Sequence, residues 1–193
     1  NRFSTESLNW LGHFDMVVVS GSLPNGIEPE EFTRWMTRLR QLCPCIIFDS
    51  SREALKAGLK ASPWLVKPNR QELETWVGRK LPDLKEVIAA AHELRDKGIS
   101  HVVISLGEEG ALWVNASGSW LAKPPQCEVV STVGAGDSMV AGLAYGLLNG
   151  ETSEHTLRMA TAISALSVSQ PDVGLKNRNK LADMMAKIEM KSL

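Results

Sequence analysis

Hydrophobic residues along the chain follow two patterns that alternate. In the first, apolar residues form short continuous runs, as in MVVV at 16–19, CIIF at 45–48 and HVVI at 101–104. In the second, apolar residues recur every three or four positions over longer stretches. Continuous runs are typical of parallel strands covered on both faces, and the longer period is typical of amphipathic helices. The alternation therefore predicts an α/β fold with a doubly wound, mostly parallel sheet, formed by residues 1–193 as a single domain.

Periodicity and turn residues together set the predicted boundaries of the elements. Strands are predicted at 15–21, 45–51, 64–69, 101–107 and 128–132. Helices are predicted at 29–42, 52–60, 70–78, 84–98, 135–149, 153–169 and 178–188. The stretch 111–124 carries NASG between two apolar runs, which predicts a small antiparallel hairpin.

Composition narrows the possible partners and location. The net charge is −1, so no electrostatic argument favours nucleic acid or an anionic membrane as a partner. No apolar run reaches the roughly 18 residues of a membrane-spanning helix. Cys43 and Cys45 have no second pair of ligands spaced for a zinc site, so we expect free thiols in a reducing cytoplasm.

Five loops that follow predicted strands are rich in small, polar or charged residues. They are SGSLPNG, DSSRE, KPNRQE, SLGEEG and STVGAGD. In open α/β sheets, ligands bind at the carboxyl ends of the strands. Because phosphate groups need backbone N–H donors and little side-chain bulk, these loops together predict a phosphate-binding edge of the sheet.

The GAGD segment at 134–137 could serve as a dinucleotide fingerprint, a helix cap or a catalytic centre. The fingerprint needs a third glycine three residues after Gly136, where Met139 stands. A P-loop needs a Gly-Lys-Ser/Thr sequence, which does not follow. A capping role for Asp137 does not require the small residues before it. A general base beside an anion-binding turn explains both the acid and the small residues.

Together with four other segments of the chain, STVGAGDSMVAG resembles the signature sequences of the PfkB, or ribokinase-like, sugar kinases. The companions VSGSLPNG, FDSSREAL, LVKPNRQELE and VVISLGEEGALWV occur in the family's order and extend the resemblance over the whole chain. The resemblance implies a ribokinase-like fold that uses ATP and Mg²⁺. It is nearest to members that phosphorylate fructose 1-phosphate at the 6-hydroxyl. Activity on tagatose 6-phosphate or fructose 6-phosphate is the alternative within the family.

The resemblance also implies roles for individual residues. Asp137 corresponds to the catalytic base that contacts the sugar hydroxyl, and Gly134, Ala135 and Gly136 correspond to the anion hole. Ser22 corresponds to a sugar-phosphate contact, although a simple turn hydroxyl would also explain it. The loop SLGEEG corresponds to a nucleotide-binding loop whose residues are Ser105, Leu106, Gly107, Glu108, Glu109 and Gly110.

A second set of implied residues surrounds the metal and the phosphates of the nucleotide. Asn69 and Glu72 match the family's N-x-x-E motif, which acts on the magnesium–phosphate network, and Lys67 would lie near the ATP phosphates. Asp49 corresponds to an acid associated with the metal–nucleotide complex. Three simpler interpretations stay open: Glu72 forms only a surface pair, Lys67 is a solvated lysine at a strand end, and Asp49 caps the helix that begins near Arg52.

The sequence departs from the family pattern in three places. Ser131 stands where many members have an aspartate of a monovalent-cation site, which puts potassium in doubt. Arg52 stands where related kinases often have glycine, and its side chain could either reach a phosphate or be solvated. The family's N-terminal strands, β lid and Gly-Gly-Lys-Gly loop have no counterpart here. Since the lid often forms a homodimer interface, oligomerisation is in doubt, and the chain alone could be an inactive nucleotide-binding remnant.

Overall fold

The computed structural model describes Leu8, residues 10–171 and residues 178–193. The chain divides into two compact units, Asn1–Ile104 and Ser105–Leu193. The prediction that residues 1–193 form a single α/β domain stays a prediction. None of the helices within the described ranges is long and apolar enough to cross a membrane.

The first unit alternates strands and helices as the hydrophobic pattern predicts. Its strands are β1 (Val17–Ser20), β2 (Ile46–Asp49), β3 (Leu65–Val66) and β4 (His101–Ser105). Its helices are α1 (Pro29–Leu42), α2 (Arg52–Leu59), α3 (Arg70–Val77) and α4 (Leu84–Asp96). The strands pair in parallel in the order β1, β2, β3, β4. The predicted elements are confirmed, although the strands are shorter than the predicted segments.

Burial explains why the apolar runs of this unit became strands. Residues 46–48, 65–66 and 102–104 are buried, as expected for parallel strands covered on both faces. The same expectation is wrong for β1, where the side chain of Val18 is 44% exposed. Within the described residues β1 pairs only with β2, and its exposure alternates along the strand.

Close packing of α1 and α2 fixes the end of β2. Phe48 lies against Gly58 of α2, where an added Cβ would come within 2.3 Å of the phenyl ring. The Thr33 hydroxyl of α1 donates to the carbonyl oxygen of Ala57 at 2.9 Å. These contacts hold the chain that leads from β2 into α2, which is the segment carrying Asp49.

The second unit contains an antiparallel set of strands and three helices. The strands are β5 (Ala111–Asn115), β6 (Gly118–Lys123) and β7 (Glu189–Ser192), and β6 pairs with both others. The helices are α5 (Ala135–Leu148), α6 (Ser153–Val168) and α7 (Arg178–Lys187). The predicted hairpin is therefore confirmed. Strand β7 was not predicted, because EMKS lacks an apolar alternation.

The predicted strand at 128–132 is wrong. Its apolar residues Val129 and Val130 are exposed, and no ladder forms there. Instead, the N–H groups of Val130 and Ser131 both donate to the carbonyl oxygen of Val168, at 2.8 and 3.2 Å. The end of α6 thus satisfies the backbone groups that a neighbouring strand would have taken.

Glycines allow α5 and α6 to pack closely. A Cβ at Gly142 would lie 2.7 Å from the Cα of Ala160, and one at Gly146 would lie 2.6 Å from the Thr156 hydroxyl. Neither site has room for a side chain. Near the start of α5, the hydroxyls of Ser138 and Ser167 form a buried hydrogen bond of 3.0 Å.

His101, at the start of β4, makes the stability of the first unit dependent on pH. Its ring contacts Trp64 edge to face, with centroids 4.4 Å apart. Burial, assisted by the charge of Arg95, lowers the pKa of His101 from 6.5 to about 4. The unfolded chain therefore takes up a proton first as the pH falls. The stability that the neutral ring contributes is complete above pH 6.5 and is lost as the pH falls toward about 4.

We expect His101→Phe to reduce the loss of unfolding free energy between pH 7 and pH 4, because phenylalanine keeps the ring contact and binds no proton. Urea denaturation at several pH values measures this slope. His92→Gln, at an exposed position of α4, is the control and should keep the slope of the unchanged chain. Equal slopes for all three proteins would show that His101 does not control the acid sensitivity.

Candidate active site

Asp49 and Lys67 lie side by side at the carboxyl ends of β2 and β3. The parallel register pairs Phe48 with Val66, and the N–H of Lys67 donates to the carbonyl oxygen of Phe48 at 3.1 Å. Both charged residues therefore follow neighbouring strands. Lys67 Nζ lies 3.2 Å from Asp49 Oδ1, and the two side chains are only 5% and 16% exposed. Two charges held this far from water must neutralise each other.

Asn69 and Glu72 form a reciprocal cap at the start of α3. The backbone N–H of Asn69 donates to Glu72 Oε2 at 2.8 Å, and the N–H of Glu72 donates to Asn69 Oδ1 at 2.8 Å. This capping box fixes the rotamers of both side chains. Among the described residues the other oxygen of Glu72 has no hydrogen-bond partner, so it is available to a ligand.

The Glu72 carboxylate is half-buried, and its surroundings set its protonation. Burial raises the pKa of Glu72 above its ordinary value, with a smaller raising effect from Asp49. The hydrogen bond from the Asn69 N–H and the charge of Lys67 act in the opposite direction. Since desolvation dominates, a cation that restores a charged partner would be bound favourably at this carboxylate.

The ends of β2 and β3 and the start of α3 thus hold four of the predicted site residues, and the structure tests the simpler interpretations of three of them. The Lys67 side chain is buried, so its interpretation as a solvated lysine at a strand end is wrong. Ser51 is the N-cap residue of α2, so the interpretation of Asp49 as that helix cap is wrong. Glu72 does form an i, i+3 pair, as the simpler interpretation expects, but the pair is the capping box. Sequence reasoning missed the ion pair of Asp49 with Lys67. Opposite charges directly after two neighbouring parallel strands are the signal that could have revealed it.

The oxygen donors of this cluster fit Mg²⁺ as a hydrated ion. Magnesium prefers hard oxygen ligands, keeps several waters and takes one or two carboxylates from the protein. Glu72, Asn69 and Asp49 supply two carboxylates and an amide oxygen. Within the described ranges no group of three or more His, Cys, Asp or Glu residues could hold a metal ion. The residues present therefore fit a metal held largely through water.

The loop after β1 is tied to the end of β2. The N–H of Gly21 donates to the carbonyl oxygen of Asp49 at 3.2 Å, and the Ser50 hydroxyl donates to the carbonyl oxygen of Gly21. Ser22 follows directly and is exposed, with no hydrogen bond to the other described residues. Its hydroxyl is therefore free to contact a ligand.

In the second unit, α5 begins at the small residues that precede Asp137. Gly134 is the N-cap residue, with φ of 78°, and Ala135 is the first helical residue. No side chain caps this helix end, so the interpretation of Asp137 as a cap is wrong. The Asp137 carboxylate is exposed and has no hydrogen bond or ion pair with the other described residues.

The backbone N–H groups at the start of α5 are mostly free. The Ala135 N–H makes a long turn contact of 3.3 Å to the carbonyl oxygen of Thr132. Within the described chain, the N–H groups of Gly134 and Gly136 have no backbone acceptor. The Ser164 hydroxyl of α6 donates to the carbonyl oxygen of Ala135 at 3.1 Å, which anchors this turn. Two N–H donors beside an unpartnered carboxylate could bind an anionic group while the carboxylate accepts a proton from a neighbouring hydroxyl.

The predicted nucleotide loop, residues 105–110, is a tight turn with two glycines in left-handed conformations. Gly107 has φ of 63° and Gly110 has φ of 99°. A Cβ at Gly110 would lie 1.9 Å from the carbonyl oxygen of Ala122, so packing on β6 alone requires that glycine. Leu106 is buried, whereas residues 107–109 form an exposed 3₁₀ turn. The Leu106 side chain is therefore part of the core, and the exposed turn is the part that can meet a ligand.

Ser131, at the position expected for a cation-binding aspartate, has a local role. Its hydroxyl accepts a hydrogen bond from the Val133 N–H at 3.2 Å. It stabilises the turn that leads into α5 and supplies no negative charge. A monovalent cation there would depend on carbonyl oxygens.

The fold described above is that of a known class of enzymes. The chain belongs to the pfkB family of carbohydrate kinases, whose pattern matches residues 1–180. The predicted ribokinase-like α/β fold class is thereby confirmed.

Individual relatives bear more directly on the activity. The chain is 72% identical to 1-phosphofructokinase of Escherichia coli over 189 residues, which cover 98% of this chain and 61% of that protein. It is 51% identical to 1-phosphofructokinase of Haemophilus influenzae, again over 98% of this chain and 61% of that protein. Among solved structures, phosphofructokinase-2 of E. coli in complex with potassium matches with a TM-score of 0.84 and 32% identity, covering 94% of this chain and 60% of that one. The chain thus spans about three-fifths of the length of these relatives.

We expect Lys67→Met to lower the free energy of unfolding by about 3–5 kcal/mol, since it leaves the Asp49 carboxylate buried without its lysine partner. Urea denaturation followed by circular dichroism measures the change. Lys56→Met is the control, because Lys56 forms an exposed ion pair with Glu53 and should change stability by less than about 0.5 kcal/mol. Equal losses in the two variants would contradict the structural importance of the buried pair.

Proposed function

We propose that this chain supplies the ATP-binding and catalytic part of a kinase that phosphorylates fructose 1-phosphate at its 6-hydroxyl. The observation that carries the proposal is the unpartnered Asp137 carboxylate beside free N–H groups at the start of α5. High identity to 1-phosphofructokinases supports fructose 1-phosphate as the acceptor. Activity on tagatose 6-phosphate or fructose 6-phosphate is the second candidate, favoured by the likeness to phosphofructokinase-2.

In the proposed reaction, Asp137 takes the proton of the sugar 6-hydroxyl as its oxygen bonds to the γ-phosphorus of ATP. The bond between that phosphorus and the bridging oxygen of ADP breaks, and ADP leaves with the electron pair. The N–H groups of Gly134 and Gly136 would donate to the phosphoryl oxygens, where negative charge accumulates. An acid with no other partner is suited to this step, because no ion pair has to be broken first.

Residues of the first unit have supporting roles in this proposal. Glu72, Asn69 and Asp49 would hold Mg²⁺ through water, and that ion would neutralise charge on the phosphates of ATP. Lys67 would add a positive charge for those phosphates, and Ser22 would contact the sugar phosphate. The exposed turn at 107–109 would meet the nucleotide. Potassium, which E. coli phosphofructokinase-2 binds, would depend on carbonyl oxygens near Ser131.

Location and assembly follow from the same activity. An ATP-dependent sugar-phosphate kinase with free cysteines is expected in the cytoplasm, and Cys43, Cys45 and Cys127 are free. A homodimer formed through the β lid of the family is consistent with the proposal.

A chimaeric kinase tests the acceptor. Residues 1–193 would replace the matching region of E. coli 1-phosphofructokinase, and ADP release would be followed with each sugar phosphate. We expect the highest kcat/KM with fructose 1-phosphate. Preference for a 6-phosphorylated ketose would favour the second candidate. Calorimetry of the 193-residue chain with Mg-ATP shows separately whether the chain alone binds nucleotide without turnover.

In the same chimaeric kinase, Asp137→Asn should lower kcat by at least about 100-fold, because the amide cannot accept the proton. The KM for ATP should change little. Asp183→Asn, in helix α7, is the control for loss of a carboxylate and should leave turnover unchanged. A kcat for Asp137→Asn close to that of the parent would remove Asp137 from the role of base.

A further inference from the structure

Arg52 has a backbone conformation that is unfavourable for its residue type. Its φ is 52°, and within the described ranges only Ser62 is another non-glycine residue with positive φ. Glycine adopts this left-handed region without strain, whereas a residue with a Cβ is destabilised there. Residues held in such conformations concentrate at functional sites. The side chain of Arg52 is therefore expected to have a role that compensates for this strain.

Arg52 lines a cleft that also contains the capping box. The cleft has a volume of about 250 Å³, and its walls include Lys56, Asn69, Glu72 and Trp76. Asn69 and Glu72 are the residues proposed above for the metal–phosphate network. Arg52 is exposed and has no hydrogen bond or ion pair with the other described residues. Lys56, in contrast, is engaged with Glu53 at 3.0 Å. Among the described residues, Arg52 is thus a positively charged residue of this cleft that forms no ion pair.

The charged groups of the cleft favour a ligand that carries phosphate. An arginine presents a planar fork of N–H donors that matches phosphate and carboxylate groups. The Glu72 carboxylate in the same cleft would repel a simple carboxylate ligand. A phosphate group that arrives with Mg²⁺ avoids that repulsion, since the metal satisfies Glu72 while the guanidinium binds the phosphate oxygens.

We propose that Arg52 is a phosphate-binding residue of the kinase, acting in the cleft that it shares with Asn69 and Glu72. This inference rests on the proposed function. The phosphate belongs either to the nucleotide or to the sugar phosphate, and the two sources are separated by experiment. The strained φ at Arg52 is retained because glycine, which would relieve it, has no guanidinium.

The test is calorimetry of the 193-residue chain with Mg-ATP and, separately, with fructose 1-phosphate. Arg52→Ala should weaken one of the two ligands by about tenfold or more, and Arg52→Lys should recover part of the loss. Loss for Mg-ATP alone assigns the phosphate to the nucleotide, and loss for fructose 1-phosphate alone assigns it to the sugar. Lys56→Ala is the control from the same cleft and should bind as the parent does. Unchanged binding of both ligands by Arg52→Ala overturns the inference, and so does an equal loss in Lys56→Ala.

A stability measurement separates a binding role from a structural one. Arg52→Gly should raise the melting temperature, because glycine adopts φ of 52° freely, and should weaken the same ligand as Arg52→Ala does. A structural arginine would instead lower stability and binding together, which overturns the inference.

The chimaeric kinase separates failure of the inference from failure of the proposed function. We expect Arg52→Ala to raise the KM of the affected substrate by about tenfold and to leave kcat within about threefold. An active chimaera with unchanged KM values in Arg52→Ala overturns the inference and leaves the function intact. A chimaera without kinase activity before any substitution overturns the proposed function itself.

Discussion

The buried ion pair of Lys67 with Asp49 is the constraint on which the first unit depends. Neither charge can stay at the ends of β2 and β3 without the other, because each has lost most of its water. The pair therefore keeps the site neutral before a ligand arrives. A ligand that brings both a cation and a phosphate offers each partner a new counter-charge. In the proposed kinase, Mg-ATP would have this composition, whereas a bare anion or a bare cation would offer a new counter-charge to one partner only. If the chain acts as proposed, the pair is a physical reason for it to prefer a metal–phosphate complex.

The second unit presents a different kind of electrostatics. At the start of α5 the donors are backbone N–H groups, which carry partial charges and cannot be neutralised by a proton. The only formal charge there, on Asp137, has no partner among the described residues. A lysine beside Asp137 would stabilise the carboxylate and reduce its tendency to take a proton. In the proposed reaction, backbone donors would avoid that conflict, since they would attract phosphoryl oxygens with less effect on Asp137. Glycines serve this purpose because they leave the N–H groups accessible.

Most of the fold was predictable from the sequence, and the failures have physical causes. The apolar runs that became β2, β3 and β4 are buried on both faces, so their pattern is strong. Val129 and Val130 form the same kind of run, but the end of α6 takes their backbone hydrogen bonds, which no local pattern reveals. Strand β7 pairs with β6 through backbone groups, and its polar side chains give no signal. At the candidate site, motifs in the sequence single out Asn69, Glu72 and Asp137, while the partner of Lys67 depends on the register of two strands.

The proposed phosphoryl transfer would depend mainly on positioning, so residues that never meet the substrate would contribute to it. Asp137 lies in the same turn as Ala135 and Ser138, which are tied to α6 by hydrogen bonds with Ser164 and Ser167. Further along α5, Gly142 brings the backbone so close to Ala160 that a single methyl group would force the helices apart. Such a shift would displace the first turn of α5, and with it the carboxylate and the N–H donors together. The glycines inside the helix therefore serve the site as much as the glycines before it, although only the latter belong to the recognisable motif.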